Sequence, residues 1–272
     1  MKIFKNKKTL ISEISGLKNL SFIPTMGALH KGHMDLVKKA KLKEGKIIVS
    51  IYVNPKQFNS KKDLYSYPVS LKKDIAILRK LKINYLFLPS YKDIFLFKCK
   101  NKIFKHKLIK ILCGKYRKFH FHGVLEVVNR FLEIIKPKYL FLGKKDFQQL
   151  FLINQHIKKR SISTKVISCE TVREYSGLAF SSRNFLLNSK NKIRASKVYK
   201  LLLQHKNLIK RTKSNNFNLR LVHKKLYEIG ISKIDYLECL NLKDLKKPNS
   251  YKNKFNIFIS FYIDKVRLID NV

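Results

Sequence analysis

The chain has 272 residues, 45% of them hydrophobic, which suffices for a full core and most naturally for one large domain with a smaller partner. Lysine and arginine number 60 against 17 aspartates and glutamates, and a formal net charge of +43 would ordinarily put nucleic acid or an anionic membrane first among partners. The cations are scattered beside Asn, Ile, Phe and Tyr in every kind of segment, as a residue bias rather than a basic face, and no run is long enough to span a bilayer, so neither membrane attachment nor a specific nucleic-acid partner is expected.

In chain order, an apolar run at Ser21 to Met26 reads as a strand. Met34, Val37 and Lys41, with Leu36 and Ala40 beside them, mark a helix of about ten residues. A buried-type strand at Lys46 to Val53 ends at Asn54-Pro55, and a polar loop follows. Leu71, Ile75, Leu78 and Leu81 recur at helical spacing from Ser70, and Tyr85 to Leu88 is a third strand, stopped by Pro89. Tyr91 to Phe119 has no strong period and reads as a loop-rich insertion with one helix at Lys105 to Leu112. The rhythm resumes with a helix over Val124 to Ile135, a strand at Tyr139 to Leu142, a helix at Phe147 to Lys158 and a strand at Lys165 to Cys169. Strand alternating with helix is the pattern of a parallel sheet, whose ligands gather at the carboxyl ends of the strands. The texture then changes to helices at Asn191 to Lys213 and Asn218 to Gly230, then strands at Lys233 to Cys239, Phe255 to Tyr262 and Val266 to Ile269, an α+β unit with a Lys/Asn-rich loop at Lys243 to Lys254. The expected division is 1–174 and 175–272. Cys99, Cys113, Cys169 and Cys239 form no Cys-x-x-Cys pair and fit reduced thiols, and MKIFKNKKTL lacks an apolar stretch of signal-peptide length, so a cytoplasmic protein is expected.

Five segments carry residues suited to chemistry. In Phe22-Ile23-Pro24-Thr25-Met26-Gly27-Ala28-Leu29-His30-Lys31-Gly32-His33, two histidines bracket a strand-to-helix turn, where both imidazoles can face an anion lying against the backbone N–H groups of the helix start. Surface histidines beside an ordinary turn would read the same way. In Gly143-Lys144-Lys145-Asp146-Phe147-Gln148-Gln149 a lysine can reach phosphate, the aspartate can hold a metal or cap the helix, and a glutamine can bond a hydroxyl or carboxylate. Ser181-Ser182-Arg183-Asn184 sets hydroxyls beside a guanidinium fork, and equally suits a capping turn. Asn54-Pro55-Lys56-Gln57-Phe58 offers neutral polar groups to a small hydroxylated acid, or simply closes a turn. Arg117-Lys118-Phe119-His120-Phe121-His122-Gly123 is a basic, aromatic loop before a helix.

Taken in order and with their spacing, FIPTMGALHKGH, VNPKQF, FLGKKDFQQL, GLAFSSRN and the closing RLIDN resemble the pantothenate synthetase (pantoate:β-alanine ligase) family over essentially the whole chain. That family is similar to class I aminoacyl-tRNA synthetases in having a HIGH-like signature, here His30 to His33, and a KMSKS-like loop, here Ser181 to Asn184. The resemblance implies a Rossmann-like nucleotide-binding domain with a smaller C-terminal α+β lid, a homodimer, and an ATP- and magnesium-dependent reaction through pantoyl adenylate. It also implies the site. Met26, His30, His33, Gly143, Lys145, Asp146, Val172, Ser181, Ser182 and Arg183 would face ATP, with Val172 on the adenine side, and His30, His33, Lys145, Ser181 and Arg183 would carry the catalysis. Asn54, Gln57 and Gln149 would bind pantoate, Arg117 and His120 would lie near the phosphates, and Asp74 matches an acidic position associated with magnesium.

The chain also departs from the family pattern. Lys118, Phe119 and His122 replace the usual residues of an Arg-Pro-Gly-His-Phe-(Arg/Ala)-Gly loop, Val69 stands where an arginine often follows Tyr-Pro, and Ser176 where an aspartate often precedes Gly177. Competing readings are another HIGH-type nucleotidyltransferase acting on a different small acid, and a basic RNA-binding protein.

Overall fold

A computed structural model describes residues 1–212, 218–251 and 254–272, and its packing divides into two compact units, Met1–Thr171 and Val172–Val272. Val172 to Glu174, expected with the first unit, go with the second. Lys213, the last residue of one expected helix, and residues 252–253 of the Lys/Asn-rich loop lie outside the described residues.

The first unit runs β1 (Lys2–Phe4), α1 (Lys7–Ile14), β2 (Ser21–Thr25), α2 (Lys31–Ala40), β3 (Ile47–Ile51), α3 (Lys61–Tyr65), α4 (Leu71–Lys80), β4 (Tyr85–Phe87), α5 (Tyr91–Phe95), α6 (Cys113–Tyr116), α7 (His120–Ile135), β5 (Tyr139–Gly143), α8 (Phe147–Lys159) and β6 (Lys165–Cys169). Its strands form one parallel sheet in the order β1-β4-β3-β2-β5-β6. The Rossmann-like expectation is met. β2 is the switch point, because the chain moves from it outward to β3 on one side and returns through β5 on the other. The β2–β5 ladder spans only Ser21 and Phe22. Pro24 has no N–H with which to extend it, so the ladder stops short of the carboxyl ends of the two strands.

The core explains the strand sequences. Phe22 and Ile23 of β2, Ile48 of β3, Leu86 and Phe87 of β4, and Leu140 and Phe141 of β5 are fully buried, as strands covered on both faces require. Helix α7 is apolar along most of its length, and Phe131 on it meets Phe22 and Phe87 at ring distances of 5.3 and 6.2 Å. Each such side chain contributes roughly 1.5–3 kcal/mol relative to exposure.

Several expectations need correction. The first twenty residues hold β1 and α1, the latter signalled by Asn6, whose Oδ1 accepts the N–H groups of Lys8 and Thr9 at 2.7 and 3.4 Å. The buried face of α2 is Leu36, Val37 and Ala40, while Lys41 ends the helix. The polar loop after β3 contains a 3-10 turn at Pro55–Gln57 and the short α3. The expected helix at Lys105 to Leu112 is only a four-residue 3-10 turn, Lys107–Lys110, whereas α5 and α6 fall where loop was expected. Finally, α7 begins at His120, not Val124.

In the second unit α9 (Ser189–Thr212) and α10 (Leu219–Glu228) precede an antiparallel sheet, β7 (Lys233–Asn241), β8 (Phe255–Ile263) and β9 (Val266–Asn271), in that order. Ala195, Val198, Leu202 and Ile209 line one face of α9 and join Val222, Leu226, Ile257, Ile259 and Phe261 in its core. A hairpin-like segment, bridged at Arg173 and Ala179, leads into Ser181. Arg173 holds it in place. Its guanidinium pairs with both oxygens of Asp270 at 2.7 and 2.9 Å, donates to the carbonyls of Gly177 and Asn271 at 3.1 Å each, and lies 3.8 Å from the Tyr199 ring centre. The RLIDN motif thus supplies, through Asp270 and Asn271, an anchor for the GLAFSSRN segment. Ser176 Oγ accepts the N–H of Leu178 at 3.4 Å, closing a serine turn.

Candidate active site

The turn between β2 and α2 is fixed from three sides. Thr25 Oγ1 donates to the Ser50 carbonyl at 2.7 Å and accepts the Gly27 N–H at 3.2 Å. Gly27 then takes φ +82°, and a Cβ there would lie 3.0 Å from Asp74 Oδ2, so conformation and space both ask for glycine. Asp74 on α4, 1% exposed, accepts the Ala28 N–H on Oδ2 at 2.9 Å and the Leu29 N–H on Oδ1 at 2.8 Å. Burial pushes its carboxyl above the usual range, outweighing the two N–H bonds that pull it down. Asp74 therefore braces the turn with both oxygens.

His30 caps α2. Its Nδ1 accepts the Gly32 N–H at 3.2 Å, and His33 Nδ1 accepts the His30 N–H at 3.4 Å, a reciprocal cap made by two imidazoles whose ring centres are 4.0 Å apart. A ring nitrogen that accepts an N–H carries no proton, so both histidines are Nε2–H tautomers. Burial, reinforced by His33 and the Lys145 charge, lowers the pKa of His30 to about 2. Burial also lowers His33 to about 4, with Asp146 opposing and Lys145 assisting. Both are neutral hydrogen-bond donors at physiological pH.

The electrostatic influence of Lys145 on both imidazoles ties the turn after β5 to the turn after its neighbour β2. Gly143 ends β5, and Lys144–Asp146 form one 3-10 turn before α8. Lys144 pairs with Glu170, while Lys145 Nζ is 3.6 Å from Asp146 Oδ1. The adjacent glutamines divide their work. Gln148 is buried, its Oε1 accepting from Cys113 N–H and its Nε2 donating to the Leu108 and Ile111 carbonyls, whereas Gln149 is partly exposed.

Asn54 and Gln57 follow β3 and are 1% and 9% exposed. Asn54 Nδ2 donates to Gln57 Oε1 at 3.2 Å and to the Gly123 carbonyl at 3.0 Å, and Gln57 Nε2 donates to Met26 Sδ at 2.7 Å. Met26 thereby joins the histidine turn to the Asn54–Gln57 turn. Arg117 and His120 both bond the Gln57 carbonyl, at 3.2 and 2.8 Å. In the second unit, Ser181 Oγ accepts the Arg183 N–H at 3.3 Å, Ser182 is buried in a 3-10 turn, and Val172 receives the Phe180 N–H on its carbonyl at 3.0 Å. The first unit thus brings together the His30 and His33 imidazoles and the Asn54 and Gln57 amides, with the Met26 thioether accepting between them, and sets the Lys145 ammonium, paired with Asp146, beside the imidazoles. Asp74 as a brace was missed by sequence reasoning; the Asp at the first turn of an amphipathic helix was its only local signal.

The pantoate-beta-alanine ligase family model matches residues 2–272. The chain is 43% identical over 258 residues to the pantothenate synthetase of Francisella tularensis subsp. mediasiatica, covering 93% of this chain and 89% of the relative. Among solved structures it is similar to a Francisella tularensis pantoate-beta-alanine ligase complexed with β,γ-ATP and β-alanine, with TM-score 0.84 and 42% identity over 100% of this chain and 97% of that one. A pantothenate synthetase from Thermus thermophilus gives TM-score 0.92 at 28% identity, covering 100% and 99%. With its fold, its strand-end turns and these similarities in agreement, the chain belongs to the pantoate-beta-alanine ligase family, enzymes that condense pantoate with β-alanine to form pantothenate.

Proposed function

We propose that this ligase makes pantothenate in two steps on one ATP. A pantoate carboxylate oxygen attacks the α-phosphorus, the bond to the β-phosphate oxygen breaks, and pyrophosphate leaves. The β-alanine amine then attacks the acyl carbon of pantoyl adenylate, the bond to AMP breaks, and the amine gives up a proton to form the amide. The observation that carries this reading is the pair of Nε2–H imidazoles fixed by mutual capping beside Lys145 at the sheet's switch point. Neutral donors and one ammonium suit a phosphate that gains charge as it becomes five-coordinate, and they need no proton transfer to act.

In this reading Lys145, His30 and His33 hold phosphate oxygens, with Met26, Gly143 and Asp146 lining the nucleotide. Ser181, Ser182 and Arg183 are assigned to ATP phosphates, and Val172 to the adenine, on the family resemblance alone. Gln57 and Gln149, supported by Asn54, hold pantoate in line for attack, which is the entropic part of the catalysis. Among the described residues no three His, Cys, Asp or Glu side chains form a metal-binding group, and Asp74 spends both oxygens on backbone N–H groups. Magnesium enters this reading as the ion carried on the ATP phosphates, and no step depends on a protein-held metal. A homodimer in the cytoplasm is the setting we assign on family membership; the four cysteines are all free thiols. The test is AMP formation from ATP, magnesium and pantoate, with and without β-alanine. Sustained turnover that requires both acids supports the reading, and AMP release indifferent to pantoate refutes it.

A further inference from the structure

We propose that Arg117 and His120 are positioning residues for the acid substrate, acting through the backbone of Gln57 and not through ATP phosphates. The inference rests on the reading of Gln57 as a pantoate contact. The Gln57 carbonyl accepts two hydrogen bonds, from Arg117 Nη2 at 3.2 Å and from His120 Nδ1–H at 2.8 Å. Arg117 Nη1 donates to His120 Nε2 at 3.1 Å. This circuit closes in one tautomer only: His120 carries its proton on Nδ1, the reverse of His30 and His33, and both of its ring nitrogens are engaged. A neutral imidazole in that state has no N–H to offer a phosphate. Arg117 Nη2 also pairs with Asp63 Oδ2 at 3.7 Å.

Two further contacts tie the same segments together. A Cβ on Gly123 would lie 2.3 Å from the Lys56 carbonyl oxygen, so the first turn of α7 rests directly on the Pro55–Gln57 turn. Asn54 Nδ2 reaches back to the Gly123 carbonyl at 3.0 Å. Gln57 is therefore held at its backbone by the Arg117–Gly123 segment and at its amide by Asn54 and Met26, while that amide retains a second hydrogen and a second lone pair for a hydroxylated acid. Reaching this arrangement costs backbone strain. Phe119, between the two clamping residues and 72% exposed, adopts φ +61°, a conformation that favours glycine, and Leu112 before it has φ +46°. A non-glycine residue persists there only because the surrounding bonds determine it.

The experiment is steady-state kinetics with ATP–pyrophosphate exchange on His120→Asn, His120→Ala, Arg117→Met and Gly123→Ala, each checked for folding by thermal melting. Asparagine places an amide N–H where Nδ1–H stands, so His120→Asn should stay within about threefold of wild type. His120→Ala and Arg117→Met should raise the KM for pantoate about tenfold or more while the KM for ATP moves less than about twofold. Gly123→Ala leaves both clamping side chains in place but displaces the 55–57 turn, and it should show the same selective rise. A raised KM for ATP with pantoate unaffected would overturn the proposal in favour of a phosphate contact, as would His120→Asn and His120→Ala being equally impaired. Wild-type enzyme showing no pantoate-dependent exchange would instead overturn the functional reading beneath it.

Discussion

Replacing Asp74 by asparagine tests how the histidine turn is built. The carboxylate accepts two successive backbone N–H groups, one on each oxygen, in a site 1% exposed. An amide keeps one acceptor and turns an NH₂ towards the other N–H, so either Ala28 or Leu29 loses its partner in a buried place. A buried donor left unsatisfied costs about 1–3 kcal/mol. Burial is also the dominant influence on the Asp74 carboxyl, so removing the charge returns part of that cost. The net expectation is a loss of about 1–2 kcal/mol in unfolding free energy, read from urea denaturation. Because the turn carries His30 and His33, kcat/KM for ATP should fall about tenfold, the scale of a small misplacement of phosphate donors. The magnesium concentration for half-maximal activity should not change. A variant of unaltered stability whose only defect is a raised magnesium requirement would refute the bracing role and restore Asp74 as a metal ligand.

Four other outcomes follow from the same geometry. Lys145→Ala should cost about 3 kcal/mol of transition-state stabilisation, about 150-fold in kcat/KM for adenylation, and a variant within twofold of wild type would remove Lys145 from the chemistry. With His33 near pKa 4 and His30 near 2, only about 1% of His33 is protonated at pH 6, against roughly three-quarters for an ordinary histidine, so adenylation should show no histidine limb between pH 6 and 8. The same depressed values, together with about 4 for the buried His156, mean that the unfolded chain takes up protons first: stability is fully present above pH 6.5 and is lost below it, by about 1.4 kcal/mol per pH unit for each such histidine, and an acid melt flat down to pH 4.5 would contradict this. Phe119→Gly should stabilise the fold by roughly 0.5–1 kcal/mol, the relief of left-handed strain less the added freedom of the unfolded chain, and a loss of stability would show that Phe119 is not strained.

What the sequence made legible was whatever is local. Strand runs with buried-type composition, the turn after Thr25 and the turn after Gly143 all announce themselves within a dozen residues, and the sheet order then places them side by side. What it concealed is carried by long-range bonds. Asp74 meets Ala28 and Leu29 from more than forty positions away, and His120 meets the Gln57 carbonyl across sixty-three. The stretch from Tyr91 to Phe119 has no period because it is held by others: Arg130 bonds the carbonyls of Ile94 and Phe97, Glu133 takes the N–H groups of Lys100 and Asn101, His156 takes that of Phe104, and Gln148 binds Leu108, Ile111 and Cys113. Its backbone groups are satisfied by side chains of α7 and α8, an arrangement that leaves no hydrophobic rhythm to read. Edge strand β1, three residues long and containing a lysine, is too short to signal itself.

The most direct test of the central claim is ATP–pyrophosphate exchange with magnesium and pantoate in the absence of β-alanine. A carboxylate activated on the α-phosphate must return label from pyrophosphate to ATP before any amine is present, so exchange should depend on pantoate and should fall about 150-fold in Lys145→Ala. Full exchange with another small acid but none with pantoate would contradict the substrate assignment, and turnover to pantothenate without any exchange would contradict the adenylate route.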